Sequence, residues 1–288
     1  MAGKLLFVRN FFPVLLCLTL AAASYGQPAT TPSQSDAVVQ RALAAELHTA
    51  QDTQHPMRYR LRKSSPRLTS TKEIVETRDG AVARLIAIND RPLSQADEQK
   101  EQTRLDALLS DPSRQRHRKQ AEDQDQSRAM KVLRALPKAF LYQFAGFGAG
   151  PAGKVEKFTF RPNPNFTSPD LETQVLTAMT GEIWIDATQE RVTRLEGHLQ
   201  QDVDFGWGIL GRLDKGGWIV IEQADIGGRQ WRIVRFQMVM NGRVLFKNKS
   251  FDTEEEEFRF RPLPVGLGYA QAIQMLRGAP EKAFPGGH

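Results

Sequence analysis

The sequence predicts an α+β fold built on one long antiparallel sheet. Three features indicate this: an amphipathic helix near the start, a polar helical segment after the first strands, and short alternating segments through the second half. Alternation of apolar and polar residues is typical of strands with one buried and one solvated face. The segments of the second half are 154–161, 181–185, 191–199, 217–224, 230–240, 243–249 and 257–261. We expect them to form one meander whose apolar face covers a core or a ligand pocket.

The first 26 residues resemble a secretory signal in their order of features. Lys4 and Arg9 form a basic start, an apolar run covers residues 11–23, and small residues follow at 24–26. This order is typical of a signal peptide, and the run is short for a membrane span. We expect residues 1–26 to be cleaved, the mature chain to be exported to the periplasm, and no transmembrane span to remain in it. An uncleaved anchor is the alternative, and cleavage would remove Cys17, the only cysteine.

The charge of the chain does not favour nucleic-acid binding. The formal net charge is +6, and without Lys4 and Arg9 it would be +4. This excess is mild, and an exported protein rarely meets nucleic acid, so we expect no nucleic-acid partner. Weak attraction to an anionic membrane surface is compatible with the charge but not required by it.

The N-terminal part of the mature chain is predicted to be a tether, a helix and three strands. Residues 27–35 are rich in Pro, Thr, Ser and Gln, as flexible tethers are. Residues 36–50 carry apolar residues at helical spacing. Strands are expected at 57–62, 69–77 and 81–88. Asp79-Gly80 between the last two is a strong signal for a two-residue hairpin turn.

Residues 92–136 are predicted to form a helical arm inserted between strands. Ser94 is a candidate N-cap, and Asp111-Pro112 is a plausible start for a second helix. The arm also carries a basic run consisting of Arg114, Arg116, Arg118 and Lys119. This run is either a docking patch or a solvated helix face. The acids that follow directly favour the solvated face.

Turn signals predict the elements that follow the helical arm. Residues 140–145 are expected to form a strand, followed by a glycine-rich hairpin loop containing Gly146, Gly148, Gly150 and Gly153. A short helix is expected at 169–179, and Asn241-Gly242 is expected to be a hairpin turn. The single half-barrel domain would span 36–261. Residues 262–288 would form a tail with a short helix near 270–276.

No catalytic constellation is recognisable, so we expect no enzyme, no cofactor and no metal site. None of the five histidines has a second histidine at ligand spacing, and no nucleophile motif is present. His198 shares a strand face with Arg194 and Glu196 and is expected to be exposed. Asp202 and Asp204 could act as paired carboxylates in a hydrolase, but no third ligand or base accompanies them.

Aromatic and methionine residues are spread over the meander and could line an adaptable apolar pocket. The alternative is that they form an ordinary core under the helices, because a half-covered sheet gives the same alternation. The candidate ligand-cavity residues are Phe158, Phe160, Trp184, Val234, Phe236, Met238, Met240 and Phe246.

One strand–turn–strand motif resembles a known family. Residues 181–186 (Gly-Glu-Ile-Trp-Ile-Asp) and 191–196 (Arg-Val-Thr-Arg-Leu-Glu) look like the lipoprotein-carrier superfamily of LolA, LolB and RseB-type periplasmic proteins. The resemblance implies a curved, incomplete β-barrel with helices on its concave side and a cavity for acyl chains. It also implies binding and transfer without bond chemistry.

We therefore expect a non-enzymatic carrier whose partner is a lipid or an acylated protein. The alternative is a structural or regulatory envelope protein with a filled core, which would bind a protein partner through the helical arm.

Overall fold

The computed structural model describes residues 34–206, 211–245 and 247–278. Within these ranges the chain has an α+β fold with a large, curved antiparallel sheet, as expected. The helices are α1 (Gln34–Gln51), α2 (Gln95–Ser110), α3 (Pro112–Ala139), α4 (Leu171–Gln174) and α5 (Tyr269–Arg277), with a 3-10 turn at Val175–Ala178. Residues 1–33 lie outside the described ranges, and so do the expectations for the signal and most of the tether. Gln34 and Ser35, assigned above to the tether, belong to α1.

Thirteen strands form the sheet. The first four are β1 (Met57–Ser64), β2 (Thr69–Val75), β3 (Val82–Ile88) and β4 (Arg91–Pro92). The next four are β5 (Phe140–Gly150), β6 (Gly153–Pro162), β7 (Met179–Asp186) and β8 (Val192–Leu199). The last five are β9 (Val203–Phe205), β10 (Gly211–Leu213), β11 (Trp218–Asp225), β12 (Trp231–Val244) and β13 (Lys247–Pro262).

The sheet is open, with β4 and β5 at its two edges. The strand order is β4-β3-β2-β1-β13-β12-β11-β8-β7-β6-β5, and the short β9 and β10 attach beside β12. The helices α2 and α3 connect the two edges, since they follow β4 and precede β5 along the chain. The first long strand, β1, pairs with the last, β13, in the middle of the sheet.

Local turn chemistry explains the first hairpin. Gly80 has a φ of +96° in the turn between β2 and β3. Glycine adopts a positive φ without steric cost, so it suits this position. Ser94 accepts a hydrogen bond from the Asp97 backbone and caps α2, and Asp111 caps α3 ahead of Pro112. The two caps and the presence of a turn here are confirmed. The turn is not the expected two-residue hairpin, because residues 76–81 connect β2 to β3 and the Gly80 backbone donates to the carbonyl oxygen of Thr77 at 3.2 Å.

The predicted turn at Asn241-Gly242 is wrong. Both residues lie inside β12, which runs on to Val244, and the bend follows at Leu245 with a φ of +53°. The glycine is needed for another reason. A Cβ on Gly242 would stand 2.2 Å from the carbonyl oxygen of Arg212 in the adjacent β10. The missing side chain therefore permits a close approach of two strands.

The predicted glycine-rich loop after residue 145 is also wrong in its extent. Strand β5 continues through Gly146 and Gly148 to Gly150, so the turn consists of Pro151 and Ala152. At Gly146 the pairing with β6 shifts register and φ is +118°, which is a glycine β-bulge. The glycines here extend the edge strand instead of ending it.

Helices cover both faces of the sheet. The side of the sheet that carries Phe158, Ile183 and Met238 is called the inner face, and the opposite side is called the outer face. The apolar residues of α1 and the end of α3 pack on the inner face. Helices α2 and α5 instead pack on the outer face of β2 and β3, around Val75. Ile74, the preceding residue, points to the other side and packs with Tyr59.

The arm formed by α2 and α3 closes the free edge of β3. Glu101 accepts a hydrogen bond from the backbone of Leu85 at 2.8 Å, and Glu122 accepts one from Ala81 at 3.2 Å. Arg118 donates to the carbonyl oxygen of Ala81 at 3.3 Å, and Arg104 donates to that of Ala83. These side chains take the place of a neighbouring strand, which protects the edge from unwanted pairing.

The basic run of the arm is largely neutralised within the arm. Arg114 pairs with Asp111 at 3.2 Å, and Lys119 pairs with Asp123 at 2.8 Å. With Arg118 bonded to β3, these contacts agree with the expectation of a solvated, structural face.

Candidate functional site

The predicted ligand-cavity residues divide between the two faces of the sheet. Phe158, Phe160, Met238 and Met240 are buried in the main apolar cluster of the inner face, and Phe236 packs half-buried against it. Phe246 lies outside the described residues. The structure therefore brings five of the eight candidates onto one apolar surface, which helices cover.

Trp184 and Val234 do not belong to that cluster. Val234 is half-buried, and Trp184 lies on the outer face because its neighbours Ile183 and Ile185 point inward. The Trp184 ring is contacted by two cations. The Lys157 ammonium lies 3.9 Å from its centroid, and the guanidinium of Arg194 lies 5.5 Å from it.

Helix α1 covers the inner face and is attached to the sheet by a buried ion pair. Val39, Ala42 and Leu43 are almost fully buried against the cluster. Glu46 accepts hydrogen bonds from Arg191 at 2.8 and 3.1 Å, and also from the backbone of Val192 and the side chain of Gln223. No local sequence pattern predicts this network, because its members lie about one hundred and fifty residues apart.

Clefts with mixed polar and apolar linings open at two places between described residues. The larger, about 680 Å³, lies on the outer face over β5–β8, with Glu182, Glu196 and His198 among its lining residues. The smaller, about 380 Å³, lies between the end of α1, the β2–β3 turn, α3 and residues 265–267. Of the five clustered candidates only Phe160 lines either cleft.

The carboxylates considered for catalysis are held in ion pairs. Arg212 bonds Asp204 at 2.7 Å and Asp202 at 3.2 Å. The hydrogen bond from Arg212 lowers the pKa of Asp204 below its ordinary value. This arrangement is that of a structural ion-pair cluster joining β9 to β10, and the lowered pKa makes Asp204 a poorer proton acceptor.

His198 shares a strand face with Arg194 and Glu196, as the sequence predicts, and it is partly exposed. It lies 2.9 Å from Glu196, which Arg194 also bonds at 2.7 Å, and these contacts lower the pKa of Glu196. No group of three or more potential metal ligands occurs in the described ranges. None of the described helices combines the length and the apolar character needed to cross a bilayer.

The carboxyl group of Glu122 has a strongly raised pKa. Burial beside the smaller cleft raises its pKa to about 7, although the hydrogen bond from Ala81 opposes this. Between about pH 4.5 and 7 the folded protein therefore holds a proton that the unfolded chain has lost. The contribution of Glu122 to the free energy of unfolding therefore falls as the pH rises from about 4.5 to 7, and it is constant above that window.

Glu122→Gln should remove this pH dependence. The amide oxygen can still accept from Ala81, and no charge needs to be buried. We expect the variant to gain on the order of 1–3 kcal/mol relative to wild type between pH 5 and pH 8. Urea unfolding at both pH values measures this. Asp123→Asn, at an exposed position one residue later, is the control, and equal behaviour of the two variants would contradict the assignment.

The β5–β6 hairpin (Phe140–Pro162) is a further candidate site, which the sequence reading missed. Phe144 and Phe147 are 42% and 57% exposed, their rings meet edge to face at 5.1 Å, and Phe144 also contacts Phe158 at 5.6 Å. The exposed aromatic pair is therefore continuous with the buried inner face. Exposed large apolar residues that cluster in this way often mark interaction sites.

Unpaired positive charge surrounds these aromatic residues. Residues 134–161 contain five cations and one carboxylate, Glu156, a net charge of +4 in a chain of net charge +6. The cations are Arg134, Lys138, Lys154, Lys157 and Arg161. None of the five forms an ion pair with another residue in the described part of the chain. The charge excess of the protein is thus concentrated beside the open edge of the sheet.

Comparisons with known proteins give distant structural likenesses. No protein-family model and no curated protein sequence matches the chain. A domain described as an outer membrane lipoprotein-sorting protein, from Vibrio parahaemolyticus, is 10% identical with a TM-score of 0.32, covering 83% of this chain and 98% of that chain. MucB in complex with MucA(peri) is 11% identical with a TM-score of 0.20, covering 76% and 97%. Likeness at this level carries no argument about function, so the proposals below rest on the residues of this chain.

Proposed function

We propose that the protein is an exported, non-enzymatic binding protein of the cell envelope that recognises a protein partner at the β5–β6 hairpin. One observation carries the proposal: exposed Phe144 and Phe147 stand among cations that form no ion pair within the described chain. Exposed aromatic residues are enriched at protein-binding surfaces, and a patch of one charge favours a partner of the opposite charge. Export is inferred from the signal-like first 26 residues.

The filled inner face supports partner binding over acyl carriage. Phe158, Met238 and Met240 are at most 4% exposed; they belong to the packed inner-face cluster and line neither cleft. The helical arm is a weaker candidate for the partner surface than the hairpin, because several of its charged side chains are bonded to β3.

Acyl carriage is the second candidate, and the position of α1 favours it. This helix is the first described element, so it could move away from the sheet without displacing another strand. Movement would expose the apolar surface under Val39 and Leu43. Each methylene of a bound chain would then contribute about 0.8 kcal/mol.

Photo-cross-linking tests the first candidate. A benzophenone amino acid at Phe147 should give a discrete protein adduct in cells of the source organism, identifiable by mass spectrometry. The same amino acid at Lys215, an exposed turn residue remote from β5 in the strand order, should not give that adduct. Adducts with lipid alone, or saturable uptake of a fluorescent fatty acid by the purified protein without any protein adduct, would favour carriage instead.

A further inference from the structure

We propose that the open edge of β5 accepts an added strand from an extended, acidic segment of a partner protein. The proposal rests on the proposed function, because it specifies how the β5–β6 hairpin binds. Strand addition uses the backbone groups of an exposed edge for affinity and the alternating side chains for specificity.

The two edges of the sheet differ in how they are protected. The β3 edge is closed by side chains of α2 and α3, as described above. Strand β5 is eleven residues long and contains no charged residue, and its second side has no strand neighbour among the described residues. Proteins ordinarily shield such an edge with charges, proline or a covering element. An edge left this long and uncharged suits a partner strand.

The inner side of this edge is apolar. Phe144 and Phe147 point to the inner face, since Phe144 pairs across the strands with buried Phe158. Lys154 lies on the same side, with its ammonium 3.5 Å from the Phe147 centroid. A strand added beside β5 would place alternate side chains against these two rings. Apolar residues are expected at those positions of the partner.

The outer side of the edge is basic and uncovered. Gly146 and Gly148 leave the second half of β5 without side chains there, whereas Leu141 and Gln143 occupy its first half. The Lys157 ammonium lies 3.1 Å from where a Cβ on Gly148 would stand, and Arg161 lies across from Leu141 in the adjacent strand. Intervening partner side chains would meet these cations, so acidic residues are expected at the other alternate positions.

Two other occupants fit less well. A second copy paired through β5 would bring the two sets of cations, including Lys154 and Lys157, towards each other. A bilayer would bury the aromatic rings but leave the backbone groups of the edge without partners in hydrocarbon. An acidic strand satisfies both the backbone groups and the charges.

Peptide binding with hydrogen exchange tests the inference. The probe is a fluorescein-labelled peptide of alternating Glu and Val, matched in length to β5, and a Lys and Val peptide is the charge control. We expect saturable binding of the acidic peptide only, with slowed amide exchange in β5. The double variant Lys157→Gln/Arg161→Gln should weaken binding at least about tenfold, equal to about 1.4 kcal/mol. Lys215→Gln should leave binding unchanged.

The outcomes separate this inference from the proposed function. A protein adduct at Phe147 without added β5 protection by the acidic peptide would overturn strand addition and leave partner binding intact. Equal binding of both peptides would overturn the charge argument. Two further results would overturn the proposal in favour of another occupant: binding to phosphatidylglycerol vesicles in place of the peptide, or a dimer by sedimentation that Phe147→Lys dissociates.

Discussion

Glu46→Ala should lower the free energy of unfolding by about 3–5 kcal/mol. The substitution leaves Arg191 buried without its partner and removes an acceptor from the Val192 backbone and from Gln223. When one member of a buried ion pair is removed, the other charge stays out of water and has no counter-charge to compensate its lost hydration. Urea unfolding followed by circular dichroism measures the change.

The chain offers a matched control on the same helix. Arg41 also links α1 to the sheet, through Glu190 at 2.8 Å, but both side chains are about half exposed. Arg41→Ala should therefore have little effect on the free energy of unfolding, since water screens an exposed ion pair. Similar costs for the two substitutions would show that burial of the Glu46 pair does not determine how α1 is held.

Gly181→Ala should destabilise the protein by at least about 3 kcal/mol. A Cβ at this position would stand 1.8 Å from the carbonyl oxygen of Glu196 and 2.8 Å from the ring of Phe160. The oxygen belongs to the neighbouring strand β8, so relief requires the two strands to move apart. Thermal unfolding by calorimetry measures the loss.

Gly227→Ala is the control for Gly181. Gly227 lies in the turn after β11, has a φ of +113°, and has nothing within 4 Å of its Cβ position. Its cost should be limited to backbone strain, about 1–2 kcal/mol. If Gly181→Ala were no worse than this control, the close packing of β7 on β8 would be refuted.

Features fixed by neighbouring residues were predictable from the sequence. The alternation in β1, the Asp79-Gly80 turn and the Ser94 cap each depend on a few adjacent residues. The side of the sheet on which Trp184 lies was readable in the same way, because the flanking isoleucines occupy the buried positions. Grouping Trp184 with the inner-face candidates overlooked this alternation.

Features fixed by the strand order were not predictable. Gly242 lies inside a strand because β10, a distant segment, approaches it there. Similarly, the absence of charge in residues 140–150 is visible in the sequence. It becomes meaningful only when β5 is known to be an edge, which depends on all the other pairings.

The central pairing of β1 with β13 governs when the protein can fold. Lys63 in β1 bonds Glu255 in β13, 192 residues further along the chain. Closing so large a loop is slow, whereas the meander from β5 to β8 needs only neighbouring segments. Strand β1 therefore lacks its second neighbour until β13 has been synthesised. A chain with this connectivity is expected to complete its sheet only after its local hairpins have formed.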